Sequence, residues 1–219
     1  MPDTKRPGRN IPRQTVTEGK ERFPCMSSVT VRTAAGFDEK LVAELVALHK
    51  KAIPTHMQYD KSGQYFAEAL RDERNLNIVM RGQDGTVIGH LLGIPQSRVF
   101  EELRRWDPDM QDDSERLYLD TIQILPEQRH RNLSIYLIRK LCEEAEKRNI
   151  FKLSMHARTT TGWSRYQFRI FSGVRFLRRI ENWYGFGEPF DYLESTTTLK
   201  TTACRAPGRK PQGKRITSG

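Results

Sequence analysis

The run LYLDTIQILPEQRHRNLSIYLIRKLCEEAEKRNIFKLSMH, residues 117–156, limits the possible folds more than any other part of the chain. Residues 117–125 (LYLDTIQIL) are rich in apolar and β-branched side chains, as a strand requires. Leu133, Leu137, Leu141 and Ala145 then recur every fourth residue, which puts them on one face of a helix. Residues 150–156 (IFKLSMH) read as a second strand. A strand, a long helix and a strand within about 40 residues make a βαβ unit, whose two strands run parallel in one sheet.

The flanking segments make that sheet mixed. Residues 27–33 (SSVTVRT) alternate as a first strand, and Leu41, Leu45 and Leu48 stripe a helix that Pro54 ends. Asp38 lies in the first turn of this helix and Lys50 and Lys51 in its last, as the helix dipole prefers. Residues 63–71 (GQYFAEALR) suit a second, short helix. LNIVMR and TVIGHLLGI, joined by Gly82-Gln-Asp-Gly85, form an antiparallel hairpin. Between residues 95 and 115 a short helix precedes the acidic loop DPDMQDDSE. After the βαβ unit come a helix over 162–172 and closing strands at 176–180 and 190–193. The expectation is an α/β protein with a mixed sheet and the order β-α-α-β-β-β-α-β-α-β-β.

Charge sets the domain limits. The chain of 219 residues has a net charge of +10, yet residues 195–219 carry six lysines and arginines and no acid. Residues 1–26 are also basic, and both ends are rich in Pro, Gly and Thr without a sustained apolar period. Residues 1–26 and 195–219 are therefore expected to be disordered basic tails, and 27–194 one nearly neutral folded domain. Basic tails suit contact with nucleic acid or another anionic partner, and equally suit plain solvation.

Cysteines 25, 142 and 204 lack metal-ligand spacing and read as free thiols in a reducing compartment. The five histidines lack it too, so no metal site is expected. No apolar run approaches the ~18 residues of a membrane span, and no secretory leader is visible, which points to a cytoplasmic protein.

The turn QRHRNLS between the central strand and helix is the first candidate site. A helix N-terminus exposes unpaired N–H groups and a partial positive charge, together suited to a phosphate. Such turns are usually glycine-rich, and this one has no glycine. Asn132 tolerates the left-handed backbone better than most residues, Ser134 is small and offers a hydroxyl, and Arg129, His130 and Arg131 add positive charge. The turn reads equally as the solvated start of a capped helix.

Three stretches together resemble the GNAT N-acetyltransferase superfamily over about residues 29–194. They are the hairpin NIVMRGQDGTVIGHLLGI, the strand–turn–helix LDTIQILPEQRHRNLSIYLIRKL, and GVRFLRRIENWYGFGE, the last similar to the ending of amino-terminal acetyltransferases of the ribosomal-protein type. The resemblance implies acetyl-CoA as co-substrate, a primary amine (protein N-terminus or small amine) as acceptor, direct attack on the thioester, and possible homodimerisation. It places the acetyl and pantetheine groups against Ile122, Gln123 and Ile124, and the pyrophosphate on Arg129, His130, Arg131, Asn132, Leu133 and Ser134. Asp120, the only acid on that strand, is the expected base, with Glu188 a second carboxylate. The tyrosine that the family often uses as acid falls on Arg169, which leaves Tyr166 and Tyr184 as candidates. Trp106, Trp163 and Trp183 stand where they can line an acceptor pocket, and core packing serves them equally. The other reading is a catalytically degenerate form of the same fold, which binds a partner or nucleic acid through its tails.

Overall fold

The computed structural model describes residues 29–201. Seven strands form one sheet: β1 (Val29–Thr33), β2 (Leu76–Gly82), β3 (Val87–Pro95), β4 (Arg116–Ile124), β5 (Lys152–Arg158), β6 (Arg175–Ile180) and β7 (Phe190–Thr196). Five α-helices intervene: α1 (Glu39–Ala52), α2 (Ser62–Arg71), α3 (Gln96–Leu103), α4 (Leu133–Lys147) and α5 (Trp163–Ile170). The strand order is β1-β2-β3-β4-β5-β7-β6, with only β4 and β5 parallel. This is the expected mixed sheet, with α3 the short helix expected between residues 95 and 115.

Local chemistry accounts for the elements. Asp38 caps α1 by accepting from the Lys40 N–H at 3.0 Å, and Leu41, Leu45, Leu48 and Ala52 are its buried stripe. Gly85, at φ 80°, closes the β2–β3 turn in a conformation that favours glycine. The α4 stripe Leu133, Leu137, Leu141 and Ala145 is buried, and Ile135, Ile138 and Cys142 widen it.

Two glycines in β3 let α4 lie close to the sheet. A Cβ on Gly93 would meet Leu117 Cδ2 at 2.7 Å and Leu141 Cδ1 at 2.9 Å. One on Gly89 would meet the Gln123 carbonyl and Leu137 Cδ1, each at 3.3 Å. Being four apart on one strand, the two share a face, so the sequence TVIGHLLGI encodes a seat for the helix.

Two details depart from the sequence expectation. Residue 194 is not a domain boundary, because β7 runs on to Thr196, Thr197 is buried, and the Lys200 N–H donates to the Ile170 carbonyl at 2.8 Å. On α4, the i,i+4 spacing suggests a Glu144–Arg148 pair, but Glu144 pairs with Lys140 at 2.7 Å and Lys147 at 2.8 Å. Most of both expected tails, with Cys25 and Cys204, lies outside the described residues. Among the described residues no helix is long and apolar enough to cross a membrane, and no cluster of His, Cys, Asp or Glu could hold a metal.

Candidate active site

The parallel pair β4–β5 does not stay paired. Its ladder covers only Arg116↔Lys152, Leu117↔Leu153 and Tyr118↔Ser154, although β4 continues to Ile124 and β5 to Arg158. Beyond Tyr118 the strands part, and a cavity of about 1340 Å³ opens along the split. That exceeds the ~300–1,000 Å³ of a typical small-ligand pocket, enough for more than one ligand.

A bulge marks the start of the split. Leu92 pairs with Thr121 and Gly93 with Leu119, so Asp120 is an extra residue on β4 without a partner on β3. Bulges re-aim side chains, and here the Asp120 carboxylate meets the cavity and accepts the Tyr65 hydroxyl proton in a short hydrogen bond. Burial pushes the Asp120 carboxyl up to about 6, opposed by the Tyr65 hydrogen bond, helped by the negative charge of Glu102, and opposed again by Tyr59. Asp120 thus neither faces open solvent nor pairs with an arginine, and its proton affinity lies close to neutral pH.

Tyrosines surround this carboxylate. Tyr59 and Tyr65 have ring centroids 4.3 Å apart, and burial, then the charge of Asp120, raises both phenols well above their usual range. Tyr118, on the strand itself, is 3% exposed. Its hydroxyl lies 3.1 Å from His156 Nδ1. The Tyr184 hydroxyl donates to Glu102 at 2.7 Å, and its ring stacks on Trp106 at 5.3 Å. Glu102 stands close enough to raise the Asp120 carboxyl, and Asp60 and Glu68 also line the cavity, as do Lys51 and Lys61.

The other end is the turn before α4. Pro126–Gln128 form a 3-10 turn, and His130 (φ 61°) and Asn132 (φ 55°) then adopt the left-handed conformation that favours glycine. The glycine-free sequence therefore still makes the glycine-type bend, and Asn132 is followed at once by the first turn of α4. His130, Asn132, Leu133 and Ser134 line the cavity, as do Ile122, Gln123 and Ile124. Ser134 Oγ donates to the Tyr166 hydroxyl at 3.2 Å, which places Tyr166 beside this helix start.

The expected arginines are arranged otherwise. Arg129 touches the cavity but donates Nη2 to the Ala52 carbonyl at 2.6 Å and Nε to the Ile124 carbonyl at 3.3 Å. It ties the end of α1 to the end of β4. Arg131 donates to Gln128 Oε1 and does not line the cavity. Glu188 does not line it either: its carboxylate is held by Arg158, by Thr160 at 2.8 Å and by His56 at 3.3 Å. The Arg158 hydrogen bonds draw the Glu188 carboxyl down to about 2. A carboxylate so committed takes up no proton near neutral pH. Of the tryptophans, Trp163 and Trp183 line the cavity, while Trp106 backs Tyr184.

Sequence reasoning missed Tyr59, Tyr65 and Glu102, whose elements reach the site only through tertiary packing. It placed Asp107 in an acidic loop and gave it no partner, whereas that side chain is 2% exposed and accepts both Arg178 Nε at 2.5 Å and Arg178 Nη2 at 2.6 Å.

The family model for "Acetyltransferase (GNAT) family" matches residues 40–162, from α1 to the start of α5. No curated protein matches the chain significantly. Among solved structures, the ribosomal-protein-S18-alanine N-acetyltransferase from Escherichia coli is 15% identical, with a TM-score of 0.56 over 78% of this chain and 96% of that one. An aminoglycoside 6'-N-acetyltransferase complexed with coenzyme A is 13% identical, with a TM-score of 0.58 over 78% and 98%. A chimera of the spermidine N-acetyltransferase from Vibrio cholerae is 12% identical, with a TM-score of 0.56 over 78% and 96%. At such identities these likenesses concern the fold, and the family match concerns the sequence itself. On the matched residues, the parted parallel strands and the left-handed turn at the head of α4, the chain belongs to the GNAT family of acetyltransferases, which use acetyl-CoA.

Proposed function

We propose that this acetyltransferase transfers the acetyl group of acetyl-CoA to a primary aliphatic amine, with Asp120 as general base. The observation that carries the reading is the Asp120 carboxyl: aimed into the cavity by a bulge, free of any arginine, and raised to about 6. Such a group is mostly ionised at pH 7, yet basic enough to accept a proton from an attacking amine.

The ends of the cavity divide the work. The helix start at Asn132–Ser134 offers free N–H groups and the positive end of the α4 dipole to the pyrophosphate. Of the candidate basic residues, Arg129 and His130 line the cavity at this turn, and Arg131 does not. Around the base, the negative charges of Asp120 and Glu102 favour a cationic amine over an anionic acceptor. The ammonium gives one proton to Asp120, and the resulting amine attacks the thioester carbonyl. The C–S bond then breaks, the thiolate takes a proton, and the nitrogen loses its second proton as the amide forms, which replaces the one given to the thiolate. Tyr166, on the turn side, is assigned that proton donation. Tyr184 is not, because its hydroxyl proton is committed to Glu102.

Calorimetric titration with acetyl-CoA, followed by a transfer assay on 1,4-diaminobutane and on the peptide Ala-Ala-Ala, tests the reading. Binding in the micromolar range and Asp120-dependent transfer are expected. Absence of binding at high micromolar acetyl-CoA would instead favour a degenerate, non-catalytic form of the fold.

A further inference from the structure

Residues 53–61, between α1 and α2, supply much of the cavity wall, yet their only regular structure is the 3-10 turn Thr55–Met57. Side chains must hold such a segment where no ladder does. Gln58 folds it back on α1, donating Nε2 to the Ile53 carbonyl at 2.8 Å and to the Lys50 carbonyl at 3.1 Å. Tyr59 then donates its backbone N–H to His49 Nε2 at 3.2 Å. The His49 ring also stacks on the Tyr59 ring, with centroids 4.8 Å apart and planes 15° apart. His49 is 1% exposed and belongs to the buried side of α1. Tyr59 in turn packs on Tyr65, whose hydroxyl donates to Asp120. A line of contacts thus runs from a buried histidine, through the loop, to the base.

The partners fix the tautomer of His49. A backbone N–H only donates, so Nε2 is the acceptor and carries no proton. Burial lowers the imidazole below its usual value, opposed by a hydrogen bond with Gln123, so the ring is neutral at pH 7. Its proton therefore lies on Nδ1; the other tautomer would set two N–H donors face to face. The neighbouring His90 has the opposite form. Its Nε2 lies 3.2 Å from Asn77 Oδ1, and Asn77 is oriented by donating Nδ2 to the Ala69 carbonyl at 2.8 Å. His90 Nε2 thus carries the proton, and burial, then His49, lowers that ring to about 3. Phe66 meets both rings edge-on, at 5.6 and 5.7 Å.

We propose that His49 is a positioning residue for the transfer: as the Nδ1–H tautomer it grips the Tyr59 N–H and ring, and through Tyr59 it holds the cavity wall against the base. The inference rests on the amine-acetyltransferase reading and adds to it the device that keeps an irregular loop in place beside Asp120. His49 touches neither the acceptor nor the acetyl group, so its effect travels through Tyr59. Tyr59 bears on the base directly, being one of the two hydroxyl groups that hold the Asp120 carboxyl down against burial and Glu102. A loop freed from His49 therefore leaves Asp120 with less support, and the acceptor with a looser wall. No covalent step is added, and His49 exchanges no proton in the reaction.

Selective 15N labelling of histidine reads the tautomers in the unliganded wild-type protein. His49 is expected with a protonated Nδ1 and a bare, hydrogen-bonded Nε2, and His90 with the reverse. A protonated Nε2 on His49 overturns the proposal without any variant. His49→Gln and His49→Leu then separate the hydrogen bond from the packing, because a glutamine Oε1 reaches where Nε2 stood and leucine fills the space without an acceptor. In His49→Leu, exchange of the Tyr59 amide and kcat/KM for 1,4-diaminobutane should change about tenfold, the first rising and the second falling, the equivalent of one good hydrogen bond. The acid limb of its pH profile should move up, as Asp120 loses support from Tyr59, while acetyl-CoA affinity by calorimetry stays within about twofold. His49→Gln should restore most of the Tyr59 protection and of kcat/KM. Equal losses in the two variants, or an unchanged Tyr59 exchange rate in His49→Leu, overturn the proposal. If His49→Leu does not fold, rapid Tyr59 exchange in a folded His49→Gln protein overturns it instead. Wild-type protein that binds acetyl-CoA but acetylates neither 1,4-diaminobutane nor Ala-Ala-Ala overturns the proposed function and with it the role at the base, while the tautomer and the Tyr59 exchange rate still decide whether His49 holds the loop.

Discussion

Replacing Asp120 with asparagine should make the protein more stable and nearly inactive, with the gain confined to pH values where the native carboxylate is charged. Folding lifts the Asp120 carboxyl from 3.8 to about 6, chiefly by burial. Each pKa unit is worth about 1.4 kcal/mol, so the full displacement costs the folded state about 3 kcal/mol at neutral pH. Water in the cavity screens part of that, leaving a gain of about 1–2 kcal/mol for a neutral isostere, or roughly 2–8 °C in Tm for a domain of this size. The Tyr65 hydroxyl can still donate to the asparagine Oδ1, and Tyr59 can accept from its Nδ2. A raised carboxyl binds its proton more tightly in the folded state. Wild-type stability therefore falls as the pH climbs from about 4 to about 6 and is level above that. Urea denaturation of wild type and Asp120→Asn at pH 4 and pH 7.5 reads the effect: near equality at the lower pH and a more stable variant at the higher. Activity should fall by about 10²–10⁴-fold, the worth of a general base. A variant destabilised equally at both pH values would refute the argument, because the native carboxylate would then carry no burial penalty.

Tyr65→Phe removes the hydrogen bond that holds the Asp120 carboxyl down, so the acid limb of the pH profile of kcat/KM, expected near 6, should move up by roughly one pH unit. Glu188→Gln should cost about 1 kcal/mol at pH 7, a loss read by thermal denaturation. Because the Glu188 carboxyl is drawn down to about 2, that contribution is present above its unfolded value near 4.5 and disappears as the pH falls through 2. His130→Gly relieves a left-handed backbone at φ 61° and should stabilise the protein by ~0.5–1 kcal/mol. If His130 also contributes charge to the pyrophosphate, acetyl-CoA affinity by calorimetry falls in the same variant, separating backbone from charge.

Much of this was legible in the sequence, for identifiable reasons. The stripe of Leu133, Leu137, Leu141 and Ala145 and the alternation around it are local patterns, and they gave the βαβ unit and hence the position of the split. Asn132 could be read as a left-handed residue because few side chains tolerate that conformation, and it adopts it. His130 does the same without such a signal. Asp120 stood out as the only acid on its strand, but its raised proton affinity was not legible, since that comes from burial of the carboxyl in the folded chain. Charge was the least reliable guide. Arg129 and Arg131 look like phosphate ligands in a string of letters, whereas in the structure Arg129 also donates to the Ala52 and Ile124 carbonyls and Arg131 to Gln128. Asp107 lies in an acidic loop that gives no sign of a partner, yet Arg178, some seventy residues away, pairs with it in the core.

The early end of the β4–β5 ladder has a mechanical consequence. The sheet consists of two leaves, β1 to β4 and β5 to β7, stitched by three residue pairs at one end and gaping at the other. Along residues 119–124 the β5-facing rim of β4 is an interior selvedge with no neighbouring strand to finish it. On the function proposed above, a long co-substrate laid in the gap would close that open seam like a missing thread, borrowing rigidity from both leaves and returning it to each. Amide exchange in β4 and β5 should then slow together when acetyl-CoA binds, while β1 and β6, at the outer hems, keep their own pace.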